Sequence, residues 1–167
     1  RAVAGADAVV NLVAVLKGDL DGINHKGAAN VAQAAAQAGV GTLVHVSAIG
    51  SDAASKSAYG RSKGQGEEAV RAAFPGATLI RPSILFGRED QFTNRFANLI
   101  RMAPVLPVIA GGTKFQPVYV VDVARAIATA VADAAAHAGK TYELGGPQVL
   151  SMAEINSWLA AQIGHDP

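Results

Sequence analysis

The chain has 167 residues, half of them hydrophobic, enough for one domain with a substantial core. Fourteen basic residues face thirteen acidic ones for a net charge of +1, and they are scattered rather than striped, so no nucleic-acid footprint is predicted. Cysteine is absent, which excludes disulfides, thiolate metal sites and a cysteine nucleophile, and the four histidines show no metal-ligand spacing.

A buried strand is predicted over residues 8–15. It leads through Gly18-Asp19-Leu20-Asp21-Gly22 into a helix over 23–38, with Gly39 in the left-handed position that closes a helix. The uncharged stretch 27–51 exceeds a membrane span in length, but Asn30, Gln33, Gln37, Gly39, Gly41 and His45 interrupt it. It reads as helix, turn and strand, and no transmembrane segment is predicted. The strand covers 41–47, and a small-residue loop follows at 48–51. Ser55 or Ser57 is placed to cap the next helix, which carries Tyr59 and Lys63. A strand over 77–81 ends in a turn at Pro82, whose missing N–H accounts for the stop. Asp90 is read as the cap of a helix reaching Met102, with Pro104 and Pro107 blocking its continuation. Strands near Val108 and over 115–121 precede a helix capped by Asp122 and ending near Gly139. A last strand covers 140–144, and Ser151 and Glu154 form a capping box for a terminal helix in which Trp158 is expected to be core. This alternation is that of an α/β fold with a parallel sheet.

Tyr59 and Lys63 are one helical turn apart, which puts a phenol and an ammonium on one helix face. A neighbouring cation favours the phenolate and brings tyrosine toward useful acid or base strength. A surface tyrosine and lysine would share that spacing, but here the pair follows the strand and loop ending at Ser47, and ligands of open α/β sheets bind at strand carboxyl ends.

Several segments carry a resemblance. They are Val9-Val10-Asn11-Leu12-Val13, the run from Leu43 to Gly50, Tyr59-Gly60-Arg61-Ser62-Lys63 with Gly66-Glu67, Arg81 to Phe92, and Lys114 to Val120. Through them the chain resembles the extended or atypical short-chain dehydrogenase/reductases, also called the NAD-dependent epimerase/dehydratase family. Within it, Glu89-Asp90-Gln91-Phe92 and Lys114-Phe115-Gln116-Pro117 point to the branch of the NAD(P)-binding accessory subunit of respiratory complex I and its bacterial relatives.

The resemblance implies a Rossmann-like doubly wound parallel sheet, in one NAD(P)-binding domain over 1–167, with a small substrate-side lobe within 88–167. No glycine-rich dinucleotide fingerprint occurs, so the first βαβ half is expected to precede residue 1. The segment alone is then expected to be aggregation-prone, because the Val9 strand would present an apolar edge. The same resemblance implies that Lys63 bonds the nicotinamide ribose and lowers the pKa of Tyr59, the proton-transfer group. It implies cofactor contacts from Asn11, Leu12, Val13, Ser47, Pro82, Ser83 and Ile84, although Leu12 and Val13 also suit core packing. Asn24 is implied to tie backbone segments together, and Gln116, Pro117 and Tyr119 either line a substrate pocket or merely pack. The family's usual serine or threonine two residues after Ser47 is Ile49 here, which cannot donate a hydrogen bond; Ser51 and Ser55 are the nearby hydroxyls.

Two readings follow. In one, the protein is a binding subunit holding NADP(H), favoured over NAD(H), docked on peripheral-arm subunits of complex I, cytoplasmic and peripheral to the inner face of the respiratory membrane. In the other, Tyr59 and Lys63 drive an NAD(P)-dependent oxidoreductase, epimerase or dehydratase acting on a small carbonyl or nucleotide-sugar substrate.

Overall fold

The computed structural model describes residues 3–102 and 110–164. Strand β1 (Ala8–Asn11) leads into a π-helical turn (Asp21–Gly27) continuous with helix α1 (Ala28–Gln37). Strand β2 (Thr42–Val46), helix α2 (Ala58–Ala73) and strand β3 (Thr78–Pro82) follow. Then come β4 (Leu85–Phe86), α3 (Thr93–Met102), β5 (Lys114–Phe115), β6 (Val118–Tyr119), α4 (Val120–Ala132) and α5 (Ala134–His137). β7 (Thr141–Leu144), β8 (Leu150–Ser151) and α6 (Met152–Gln162) complete the order.

The chain divides into two compact units, residues 1–82 with 124–144, and residues 83–123 with 145–167. The first unit is built on a sheet of order β1-β2-β3-β7, parallel throughout. Because side chains alternate along a strand, Leu43 and Leu79 point to one face, where they bury with Ala28, Ala32 and Val70 of α1 and α2. Val44 and Ile80 point to the other, against Ala130 of α4. Helices on both faces make the sheet doubly wound, as expected. Each fully buried aliphatic side chain contributes about 2 kcal/mol, so the β2–β3 pair anchors the unit.

Two glycines let α2 approach its neighbours. A Cβ on Gly64 would sit 2.2 Å from the backbone nitrogen of Ala53, and one on Gly66 would sit 2.2 Å from the carbonyl oxygen of Asn24. The helix accepts the intrinsic cost of glycine, about 1 kcal/mol each, in return for backbone contact. Gly39 has φ of +69° at the end of α1, as its position predicts.

The second unit uses shorter strands. β4 pairs with β6 in parallel and β5 with β8 antiparallel, each strand two residues long. Its core is Ile100, Ile155, Leu159 and Ala160, with Phe92, Phe96 and Phe115 packed against them. The capping box at the start of α6 is present, Ser151 Oγ accepting from Glu154 N while the Glu154 carboxylate accepts from Ser151 N.

Several expectations are corrected. β1 ends at Asn11 rather than residue 15, and the predicted helix start is a wider π turn. The 115–121 strand is two short strands, and α4 begins at Val120, so Asp122 lies inside its first turn rather than capping it. Pro82 does not end β3 early: it pairs in register with Leu144. Trp158 is 54% exposed, because α6 turns the neighbouring Leu159 inward instead. Pro104, Pro107 and the strand near Val108 lie outside the described residues.

Candidate functional site

The carboxyl ends of β1, β2 and β3 carry most of the residues singled out in the sequence. β2 ends at Val46, whose carbonyl accepts a hydrogen bond from Lys63 Nζ at 3.0 Å. Lys63 is 1% exposed, and it reaches this point from the first turns of α2, capped by Ser57 through Gly60 N. Burial pulls its ammonium below the ordinary lysine value, and the Glu67 carboxylate opposes that shift. Tyr59, one turn earlier, is half-buried. Burial raises its phenol above the ordinary value, opposite in direction to the lowering by Lys63 that the sequence suggested, because desolvation disfavours the phenolate. Tyr59 therefore holds its proton at neutral pH, as a donor.

Ser47 is buried, and its backbone N–H bonds Ile80 O at 2.7 Å. Its hydroxyl lies 2.9 Å from Ser51 Oγ, which donates its own proton to Ala48 O at 2.7 Å, so Ser47 is the donor between the two. Ser55 Oγ accepts from Ser57 N at 3.2 Å, a turn contact at the helix start. Ile49 donates its N–H to Pro82 O at 3.2 Å and leaves its side chain 45% exposed. Loop 47–51 is thereby stitched to the end of β3.

At the end of β1, Leu12 and Val13 are exposed, each at 63%, so core packing does not describe them. Asn11 is buried, with its side chain committed inward: Nδ2 donates to His45 Nδ1 at 3.1 Å, and Oδ1 accepts from Val13 N at 3.2 Å. His45 Nδ1 is then an acceptor and the ring proton sits on Nε2, which is buried and has no partner among the described residues. Burial first, then the charge of Lys63, pulls the His45 imidazole down to about 4, against the pull of Glu67. The ring is fully buried and half satisfied.

Asn24 does tie segments together. Its Oδ1 accepts from Val15 N and its Nδ2 donates to Val15 O, both at 2.9 Å, and to Ser62 Oγ at 3.2 Å. The chain beyond β1 is thus clamped to α2 beside Lys63. Ser83 and Ile84 belong to the second unit, where Ile84 O accepts from Val118 N at 2.9 Å.

Sequence reasoning missed the charged pair beneath α2. Glu67, 2% exposed, accepts from Arg81 Nε at 2.9 Å and Nη2 at 2.6 Å, and Arg81 Nη1 also reaches Glu143 at 3.3 Å. The available signal was an arginine inside a strand of the predicted parallel sheet, with a glutamate one turn past Lys63 on the same helix face.

The second unit holds a cavity of about 320 Å³, lined by Phe86, Phe92, Pro117, Leu150, Ile155 and Trp158 among others. Pro117 lines it, Gln116 Nε2 instead donates to Gly146 O at 2.6 Å, and the Tyr119 ring packs tilted against Phe86 with ring centres 5.5 Å apart. No group of metal-ligating side chains and no helix long and apolar enough to cross a membrane occurs among the described residues.

The chain is 40% identical over 158 residues to NADH dehydrogenase (ubiquinone) 1 alpha subcomplex subunit 9, mitochondrial, of Arabidopsis thaliana, covering 91% of this chain and 39% of that protein. It is 46% identical over 119 residues to the subunit of the same name in Mus musculus, covering 70% of this chain and 31% of that one. The chain thus spans about two fifths or less of these relatives. A solved structure of dTDP-glucose 4,6-dehydratase from Streptomyces venezuelae with NAD bound superposes with a TM-score of 0.82 at 26% identity, covering 99% of this chain and 60% of that one. The family profile of the RmlD substrate binding domain matches residues 17–167. With nearly its whole length matched, this chain belongs to the RmlD substrate-binding family of extended short-chain dehydrogenase/reductases.

Proposed function

We propose that this chain is part of a nicotinamide-dinucleotide-binding accessory subunit of respiratory complex I, in which the cofactor is held as a structural element. The observation that carries the reading is Lys63, a buried ammonium tied to the last carbonyl of β2. An ammonium has three donor hydrogens, and Val46 takes one of them. The donor set fits the sugar hydroxyls at the nicotinamide end of a dinucleotide. The exposed Leu12 and Val13 leave the backbone past β1 open to approach. Similarity to the Arabidopsis and mouse complex I subunits supports the assembly partner, with a location peripheral to the respiratory membrane. NADP(H) over NAD(H) rests on resemblance to that branch.

In this reading Lys63 binds and orients, Ser47 and Pro82 fix the loop that flanks the site, and Tyr59 contributes a neutral hydroxyl. When bound, the dinucleotide would supply hydride chemistry. Ile49 stands where a polarising hydroxyl would be needed to direct that chemistry at a substrate oxygen, and it provides none.

Native mass spectrometry of the intact protein is expected to show one retained NADP(H), with respiratory subunits copurifying. Lys63→Met keeps the Glu67–Arg81 pair and is expected to lower dinucleotide affinity about 100-fold, the loss of about 3 kcal/mol of charge-assisted hydrogen bonding. Equal affinity in the variant, or no nucleotide in the parent, would overturn the assignment. The second reading, an active oxidoreductase or dehydratase, is favoured by Tyr59 remaining a proton donor at neutral pH. It requires NADPH oxidation with a carbonyl substrate that Tyr59→Phe abolishes.

A further inference from the structure

Lys63 cannot be explained by its own contact alone. A buried ammonium whose partner is a neutral carbonyl keeps a large part of its desolvation cost, so a counter-charge is required nearby. Among the described residues Glu67 is the only buried carboxylate. It lies four residues after Lys63 on α2, on the same helix face. Glu67 is not in ion-pair contact with Lys63: both of its oxygens engage Arg81. Its carboxylate acts on Lys63 through the charge interaction between two buried side chains, where screening is weaker than in water.

We propose that Glu67 is a positioning residue for the dinucleotide site, anchored to β3 by its two-point pairing with Arg81 so that its carboxylate holds Lys63 in the charged form aimed at the carboxyl end of β2. This rests on the dinucleotide reading of Lys63. The titratable groups whose charge reaches the lysine are Glu67 from α2 and His45 from β2; Tyr59 precedes it by one turn on α2, and Arg81 of β3 is linked to it through Glu67. His45 stays neutral above a pH of about 4. Arg81 is itself balanced by Glu143 of β7 on its exposed side, while Asp52, in the loop against α2, engages Ala54 N at the surface. Two cations, Lys63 and Arg81, thus share two carboxylates, Glu67 and Glu143, and only Glu67 is buried with Lys63. Removing it takes away the carboxylate charge that favours the Lys63 ammonium.

The test has two readouts on the intact protein. One is the titration of the Lys63 ammonium followed by nitrogen-15 NMR without nucleotide, and the other is the pH dependence of NADPH affinity. Glu67→Gln is expected to move both alkaline limbs down by about one pH unit, a tenfold loss of affinity where the parent still binds. Glu67→Asp is expected to restore part of the shift, and Arg81→Gln, which keeps the carboxylate and removes the competing cation, to move the limbs the opposite way. A merely structural Glu67 would lower the melting temperature and leave the Lys63 titration in place, which would overturn the proposal. Should Glu67→Gln fail to fold, the direction of the Arg81→Gln shift decides: downward or absent overturns it. A shifted Lys63 titration in protein that binds no NADPH supports the positioning role and overturns only the dinucleotide reading.

Discussion

The two units of this protein handle polarity in opposite ways. In the first, a lysine, a glutamate and a histidine lie buried against a parallel sheet, each with fixed partners, while the apolar residues Leu12, Val13 and Leu16 stand exposed past the end of β1. In the second, aromatic and aliphatic side chains line a cavity, and polar groups serve as helix caps and loop ties. Buried charge is costly unless paired, so its presence marks where the backbone is most strictly positioned. The apolar cavity carries no such demand and tolerates looser construction, with strands of two residues.

The largest test of that contrast is Gly66→Ala. The added methyl would meet the Asn24 carbonyl at 2.2 Å, and backbone on both sides has little room to yield. We expect a loss of about 4 kcal/mol in chemical denaturation despite the better helix propensity of alanine. A neutral or stabilising result would mean that α2 and the Asn24 turn are not in close contact.

The next effect is pH-dependent and belongs to His45. Its folded value of about 4 lies below the ordinary 6.5, so between these values the unfolded chain binds the proton and the folded one does not. The contribution to stability is fully present above pH 6.5 and is lost as pH falls toward 4, by about 3 kcal/mol. Denaturation midpoints measured across that window are expected to fall in the parent and to fall less in His45→Gln. Equal slopes would place the acid sensitivity elsewhere.

What was legible in the sequence follows the same division. The strands around Val44 and Leu79 and the helix bearing Lys63 were readable because long apolar runs and a serine cap state their own periodicity. Gly39, Asp90 and Ser151 announced their turns and caps by residue type alone; Asp90 accepts from Thr93 N at 2.6 Å. The strand forecast over 115–121 failed because the contiguous apolar run Val118-Tyr119-Val120-Val121 suits a strand as well as a helix start, and only pairing with β4 and β8 decides where each two-residue strand stops. The direction of the Tyr59 shift was illegible for a related reason: spacing showed a nearby cation but not the burial of the phenol, which outweighs it. The Glu67–Arg81 pair joins residues of different elements: each charge is visible within its own element, but local pattern does not say which partner it meets.

Trp158 and Leu159 give the smallest and sharpest comparison, two neighbours on α6 with opposite surroundings. Leu159, 5% exposed in the core of the second unit, is expected to cost about 3 kcal/mol when replaced by alanine, through lost transfer energy and the void left behind. Trp158, the larger residue, is 54% exposed on the cavity wall. Its replacement by alanine is therefore expected to cost less than about 1 kcal/mol in thermal or chemical denaturation, since surface substitutions leave most contacts intact. Side-chain size predicts the reverse order, so the pair separates burial from bulk. A Trp158→Ala loss as large as that of Leu159→Ala would show the indole to be packed into the core and the cavity it borders to be filled by it.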